Sequence, residues 1–391
     1  MLKVALGQSK MLSKPISGVL HLIVYMGFII INIELLEIIL DGLLGTHRLF
    51  APYLGSFYNF LIGSFEILAA FVIFSVIFFW TRRNLIKIRR FWSPEMSGWP
   101  KRDADIILYF EIILMSLFLS MNSTDLLLQN LGAPNYLKAG SFPISQFLTP
   151  LFNSFTPETL IIFERTFWWL HITGILIFLN YLYYSKHLHI LLAFPNTFFA
   201  NLDPKGKFNN NKMVYREVKQ MLEPNSDPYL TNDNNPDQSK FGASDVLDLN
   251  WIQLMNSYSC TECGRCTAEC PANQTGKLLS PRKIMMDTRD RLEEVGRNIS
   301  LNGSFKDDGN ELLDNYITKE EIWACTSCNA CVEACPIGID PLSIIMEMRQ
   351  YLVLEQSSAP SDLNNMMNNI ENNGAPWPFN NQDRLLWADD K

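Results

Sequence analysis

The chain changes hydrophobic rhythm near residue 200, and that change divides it. Four stretches, at about 16–40, 58–80, 104–128 and 160–190, are apolar with few interruptions. Each reaches the roughly 20 residues an α-helix needs to cross a hydrocarbon core, so they predict four transmembrane helices. Lys3, Lys10 and Lys14 precede the first, as they would in a signal peptide. Its apolar run is too long for that role and no small-residue cleavage site follows, so it reads as a spanning helix. Pro195-Asn196 ends the helical pattern. From about 200 to 245 the chain is rich in Asn, Asp, Pro and Lys, the composition of a linker at the membrane surface, with one short amphipathic helix at 215–222.

Helical spacing returns with Leu247, Leu249, Trp251, Ile252 and Leu254, and further helices are expected at about 280–295, 319–324 and 341–354. No period-two alternation competes, so the expected class is all-α. The expected domains are a transmembrane bundle over 1–190, a linker over 191–245, a helical domain over 246–356 and a tail over 357–391.

Charge orients the bundle. The loop between the second and third spans holds Arg82, Arg83, Lys87, Arg89, Arg90, Lys101 and Arg102, whereas the other two connections offer only Arg48 and Lys138. Short basic loops stay on the cytoplasmic side, so both termini are expected in the cytoplasm of a bacterium, with a multi-pass domain in its inner membrane. Trp80, Trp92, Trp168 and Trp169 fall near the predicted span ends, as an interfacial belt requires. The net charge is -8, with 40 acidic and 32 basic residues. No basic stripe appears on the polar half, so nucleic acid is not an expected partner.

All eight cysteines lie in two runs, Cys260, Cys263, Cys266 and Cys270 before Pro271, then Cys325, Cys328, Cys331 and Cys335 before Pro336. Both read C-x-x-C-x-x-C-x-x-x-C-P, the spacing of bacterial ferredoxins, in which the fourth Cys ligates the other of two [4Fe-4S] clusters. Crossed ligation gives one cluster on Cys260, Cys263, Cys266 and Cys335, and a second on Cys325, Cys328, Cys331 and Cys270. Structural zinc usually takes two separated C-x-x-C pairs without the trailing proline, and disulfides require an oxidising compartment. The expected fold is therefore a four-helix transmembrane bundle followed by an α-helical dicluster ferredoxin domain. Pro271 and Pro336 turn the chain out of each cluster loop, and Gly264 gives the backbone room.

His21 lies near the start of the first span and His189 at the end of the predicted fourth, two imidazoles at similar depth on antiparallel helices. That is the arrangement for two axial ligands of one b-type haem. His187 is the reserve for His189. His171 precedes His189 by 18 residues, five helical turns on one face, and a second haem there lacks a partner in the first span. Glu34, Glu37, Glu66 and Glu111 fall inside predicted spans, where carboxylates are costly and tend to be paired or functional. Glu66 and Glu111 are the candidates for proton exchange beside a quinone. The tail holds Trp377, Arg384 and Trp387 among polar residues, the makings of a partner-docking anchor.

The stretch Ser259-Cys-Thr-Glu-Cys-Gly-Arg-Cys-Thr-Ala-Glu-Cys-Pro-Ala-Asn, with Leu279-Ser280-Pro281-Arg282-Lys283 and the Gly-Ala-Pro-Trp of the tail, resembles the iron-sulfur C subunit of heterodisulfide reductase. The apolar half resembles the cytochrome b (gamma) subunit of respiratory nitrate reductase through His21, Arg102-Asp103-Ala104-Asp105-Ile106, His171 and Ser185-Lys186-His187-Leu188-His189. The resemblance implies an oxidoreductase subunit that carries electrons between a quinone, menaquinone in this reading, and a soluble cysteine-rich iron-sulfur or flavin partner. It also implies that His21 and His189 match the haem ligands nearest the cytoplasm. Heterodisulfide reduction itself belongs to another subunit. The competing expectation is a haem-free anchor that tethers the ferredoxin module.

Overall fold

A computed structural model describes residues 1–204, 206–207, 211–222, 240–379 and 381–389. Much of the predicted linker, residues 223–239, lies outside the described residues. The chain divides into two compact units, Met1–Phe198 with Tyr258–Gly264, and Phe199–Ser257 with Arg265–Lys391. The described residues are helical and contain no strand, only an isolated bridge between Leu313 and Ile317.

Four helices of the first unit are long and apolar enough to cross a membrane: α1 (Pro15–Leu44), α2 (Ser56–Asn84), α3 (Trp99–Leu131) and α4 (Pro157–Leu182). Local chemistry sets their ends. Pro15 opens α1, where its missing N–H is no loss, and Gly45 closes it in the left-handed region at φ 68°. The Thr156 hydroxyl accepts the Thr159 N–H at the start of α4. The packed interior combines Tyr58, Ile62, Phe65 and Ala69 of α2 with Phe118 and Met121 of α3, Ile38 of α1 and Ile172 of α4. Leu36, Phe60, Phe74, Ile113 and Leu179 remain exposed, as lipid-facing side chains do. Helices approach closely where a side chain is absent: a Cβ at Gly174 would lie 2.8 Å from Leu114, the small-residue contact typical of membrane helices.

Three expectations change here. The fourth span ends at Leu182, not near 190. Ser185 adopts an extended conformation, its hydroxyl accepts the His187 N–H, and the Lys186 N–H turns to Asp103 of α3. A new helix, α5 (His189–Phe198), then begins. His171 and His189 therefore do not share one helix face. The helix is also not ended by Pro195, which sits inside α5 and forfeits only one main-chain hydrogen bond. Trp168 and Trp169 lie midway along α4, and Trp168 packs over Gly42 of α1.

In the second unit α6 (Lys212–Leu222) covers the predicted amphipathic helix. There follow α7 (Trp251–Ser259), which runs into the first cysteine run, α8 (Arg265–Ala268), α9 (Pro271–Gln274), α10 (Pro281–Asn302), α11 (Lys319–Ala324), α12 (Ala330–Ala334), α13 (Pro341–Leu354) and α14 (Ser361–Asn373). The helices at 319–324 and 341–354 have the expected bounds. The helix expected at 280–295 continues to Asn302, where Gly303 at φ 79° stops it. Leu279, Ile284, Met285, Ile322, Ile344, Ile345 and Met348 form a buried apolar core. Arg291, also fully buried, is held by Asp245 at 2.8 Å and Asp308 at 2.7 Å. Helix α14 buries none of its residues, and Trp377 and Trp387 of the tail are exposed.

Candidate metal centres

The two cysteine loops are built alike. The third residue of each run, Glu262 and Ser327, has φ 56°, and the fifth, Gly264 and Asn329, has φ 69° and 59°. Two left-handed residues in five coil the backbone around the first three cysteines, a conformation that side chains other than Gly and Asn adopt at a cost. A short helix follows each loop, α8 or α12, and each run's last Cys leads into a proline. Pro271 starts α9 directly. Farther on, Ser280 caps α10 and Asp340 caps α13, each followed by a proline at the first helical position.

The fold brings cysteines of both runs together. Cys270 of the first run and Cys325, Cys328 and Cys331 of the second line one cleft, closed by Leu279, Pro281, Leu342 and Ile345. Among the described residues no three Cys, His, Asp or Glu converge on a point that one ion would occupy. The four thiols lining this cleft are the number that one [4Fe-4S] cluster would take. Main-chain amides already turn toward sulfur: the Ser327 N–H donates to Cys325 Sγ (3.4 Å) and the Ile339 N–H to Cys335 Sγ (3.3 Å). Arg349 of α13 braces the loop, donating to the carbonyls of Cys325 (2.5 Å) and Ile322 (2.8 Å) and to Ser327 Oγ (3.1 Å). Burial pushes the Cys331 thiol up to about 12 and raises that of Cys325. Those two thiols therefore stay neutral until a metal displaces their protons. Cys328 is the exposed member of the set. Of the remaining four cysteines, Cys260 and Cys263 belong to the first unit, and Cys266 and Cys335 to the second.

At the end of the bundle where α1 starts and α4 finishes, the rings of His21 and His189 lie 6.5 Å apart, centre to centre. Two imidazoles on opposite faces of one iron need about 6–6.5 Å, from two metal–nitrogen bonds of about 2 Å and the two ring radii. His189 Nδ1 lies 3.2 Å from the Lys186 carbonyl. That contact makes Nδ1 the protonated nitrogen and leaves the lone pair on Nε2, the usual outer support of a metal-binding histidine. His187 is 5.4 Å from the His189 ring and the same distance from Phe178. Burial lowers His187 to about 3 and lowers His189 too, so both are neutral, the ligating form. The pair His21 and His189 thus fits a bis-imidazole haem. His171 is elsewhere: its Nδ1 meets the Leu114 carbonyl at 3.0 Å, under Phe118.

The opposite end of the bundle holds a buried network that sequence reasoning did not assemble. Arg48, read there as a loop charge, folds inward. It donates to Asp125 (2.8 Å), Asn122 (2.8 Å), Tyr58 (3.3 Å) and Glu34 (3.4 Å). Glu37 accepts from the Tyr58 hydroxyl (2.7 Å) and the Phe50 N–H (2.8 Å). Glu66 accepts from Asn122 (3.2 Å) and from the N–H groups of Ile144 (2.9 Å) and Ser145 (3.1 Å). His47 Nε2 is 3.2 Å from Asp125. Glu111, the other carboxylate singled out, lies near the middle of α3 and outside this network. The signal available in the sequence was a lone arginine next to a span that already contained two glutamates.

The comparisons with known proteins agree with the cluster chemistry. Residues 259–339 match the 4Fe-4S dicluster domain model. Over 413 aligned residues the chain is 28% identical to the probable iron-sulfur-binding oxidoreductase FadF of Bacillus subtilis (strain 168), covering 98% of this chain and 54% of that protein. It is 26% identical to the EtfAB:quinone oxidoreductase of Syntrophomonas wolfei, covering 98% of this chain and 52% of the relative. The C subunit of the ferredoxin/F(420)H(2)-dependent CoB-CoM heterodisulfide reductase of Methanosarcina acetivorans is 30% identical over 30% of this chain and 60% of its own length. No solved structure matches. The chain spans about half the length of the first two relatives. Its cysteine-rich region is a 4Fe-4S dicluster domain, in a chain homologous to iron-sulfur oxidoreductases and to heterodisulfide reductase subunits.

Proposed function

We propose that this chain is the membrane-bound electron-transfer subunit of a quinone-linked oxidoreductase, passing electrons between a cytoplasmic iron-sulfur or flavin partner and menaquinone. The observation that carries this reading is the ring-to-ring placement of His21 and His189 within a membrane bundle whose chain also bears a dicluster domain. When bound, the two clusters and one haem b supply one-electron steps that the protein's own side chains cannot.

The residues have separable roles. Cys270, Cys325, Cys328 and Cys331 hold one cluster, and Cys260, Cys263, Cys266 and Cys335 hold the other. Arg349 keeps the second loop coiled, and the exposed edge at Cys328 is where a soluble partner reaches the first carrier. His21 and His189 hold the haem, with the Lys186 carbonyl orienting His189. Burial of Arg48 leaves Lys138 as the one exposed cation of the two outer connections that set topology, which supports cytoplasmic termini in a bacterial inner membrane. The exposed tail, with Trp377 and Trp387, is the docking element for the partner.

The test is optical and magnetic. Purified, iron-replete protein should show a b-type α band on dithionite reduction, absent from His21→Ala and His189→Ala, and reduced-state paramagnetism that Cys331→Ser diminishes. Menaquinol should reduce the clusters. A wild-type protein without the α band would remove the haem and leave a tethered ferredoxin.

A further inference from the structure

The two cysteine loops differ in what their third residue does. In the second run the third residue is Ser327, left-handed at φ 56°, and its hydroxyl is held by Arg349 of the same unit. In the first run the third residue is Glu262, in the same left-handed conformation. Glycine or asparagine would adopt it with less strain. A glutamate there has a use: its carboxylate forms an ion pair with Lys186. Side-chain exposure is 7% for Lys186 and 2% for Glu262, so neither group can fall back on water.

Lys186 is itself tightly placed. Its ammonium donates to the Pro100 carbonyl at 2.6 Å and lies 4.0 Å from Asp103. Asp103 also accepts the Lys186 N–H (3.1 Å) and the Tyr181 hydroxyl (2.5 Å). The Lys186 carbonyl in turn faces His189 Nδ1, and His187 is its neighbour in the chain. One residue therefore meets a cysteine loop with its side chain and a histidine with its backbone. The segment Tyr258–Gly264, which carries Cys260 and Cys263, groups with the same compact unit as Lys186.

We infer that Lys186 is a positioning residue, whose ion pair with Glu262 ties the turn between Cys260 and Cys263 to the segment bearing His187 and His189. The tie fixes the distance between the turn that bears Cys260 and Cys263 and the histidine pair. It rests on the proposed cofactor assignment only for its effect on electron transfer, since the ion pair concerns residues of the chain alone. Asp103 and the Pro100 carbonyl hold Lys186 in place, and Glu262 is what it grips.

Two readouts on the full-length purified protein in detergent test this. In Glu262→Gln, in Lys186→Met and in the double variant, which removes both charges of the Lys186–Glu262 pair together, hydrogen exchange of the amides at 261–264 should rise about tenfold. Exchange in α13, whose Arg349 braces the other loop, should not change. Reduction of the b-type band through the clusters should slow about tenfold at unchanged iron and haem content, since small displacements of reacting groups are costly. Lys186→Arg, which keeps the charge, should restore both. Wild-type exchange in the double variant would overturn the tie, as would a full effect from Asp103→Asn with none from Glu262→Gln. A wild-type protein lacking the b-type band would overturn the haem assignment instead, while the exchange result still decides the tie.

Discussion

The two ends of the transmembrane bundle use polar residues in opposite ways. Where α1 begins and α4 ends, His21, His187 and His189 stand ring against ring, and the contacts they make orient them. Where α1 ends and α4 begins, Arg48, Glu34, Glu37, Glu66 and Asp125 meet one another, Tyr58, Asn122 and loop amides. Polar groups in hydrocarbon are expensive at both ends. At the first the rings are packed against one another, His21 6.5 Å and His187 5.4 Å from His189, and under the proposed haem assignment the cost would be recovered on binding. At the second most of the groups pair with one another, and the cost is recovered largely by the fold itself. A polar residue in a membrane helix therefore announces a function only when its partners have been counted.

The sharpest way to break this contrast is at Arg48. Arg48→Met leaves Asp125 and Glu34 buried without their cation, and loss of one partner of a buried ion pair costs about 3–5 kcal/mol. The unfolding midpoint in mixed micelles should fall accordingly. The double variant Arg48→Met/Asp125→Asn should lose less than the sum of the two single changes, because the charges act as one network. A midpoint unchanged by Arg48→Met would mean that this end is not structural. A smaller loss is expected from Glu66→Gln. The carboxylate there accepts three hydrogen bonds, two of them from backbone amides, and an amide side chain presents one oxygen and an unmatched donor, worth about 1–3 kcal/mol.

How much of this was readable beforehand follows the same division. Cysteine spacing is a local signal fixed by cluster geometry, so the dicluster domain, the helical class and the helices at 319–324 and 341–354 could be written down from the chain. Hydropathy located the spans, because bilayer thickness imposes a length. What escaped depends on partners distant in sequence. Arg48 and Asp125 are separated by 77 positions and Lys186 and Glu262 by 76, and no pattern along the chain pairs them. The break after Leu182 was missed because Tyr183, Tyr184 and Ser185 are compatible with helix. The Ser185 cap and the contact of Lys186 with Asp103 decide otherwise, and both are tertiary.

The smallest effect on stability, and the one that sharpens the contrast most, is expected at His189. Among the described residues its side chain makes one hydrogen bond, to the Lys186 carbonyl, and the net contribution of such a bond is about 0.5–1.5 kcal/mol. In protein prepared without haem, His189→Ala should therefore move the unfolding midpoint far less than Arg48→Met does. With haem supplied, wild-type protein should gain stability that His189→Ala cannot, because a ligand that binds only the folded state stabilises it. The same unfolding experiment thus separates the ends: a variant at the Arg48 network fails with or without cofactor, and a variant at the histidine pair fails only in its response to it. If His189→Ala destabilised haem-free protein as strongly as Arg48→Met, the histidine end would also be a self-satisfied structural network, and the case for an axial ligand there would lose its physical basis.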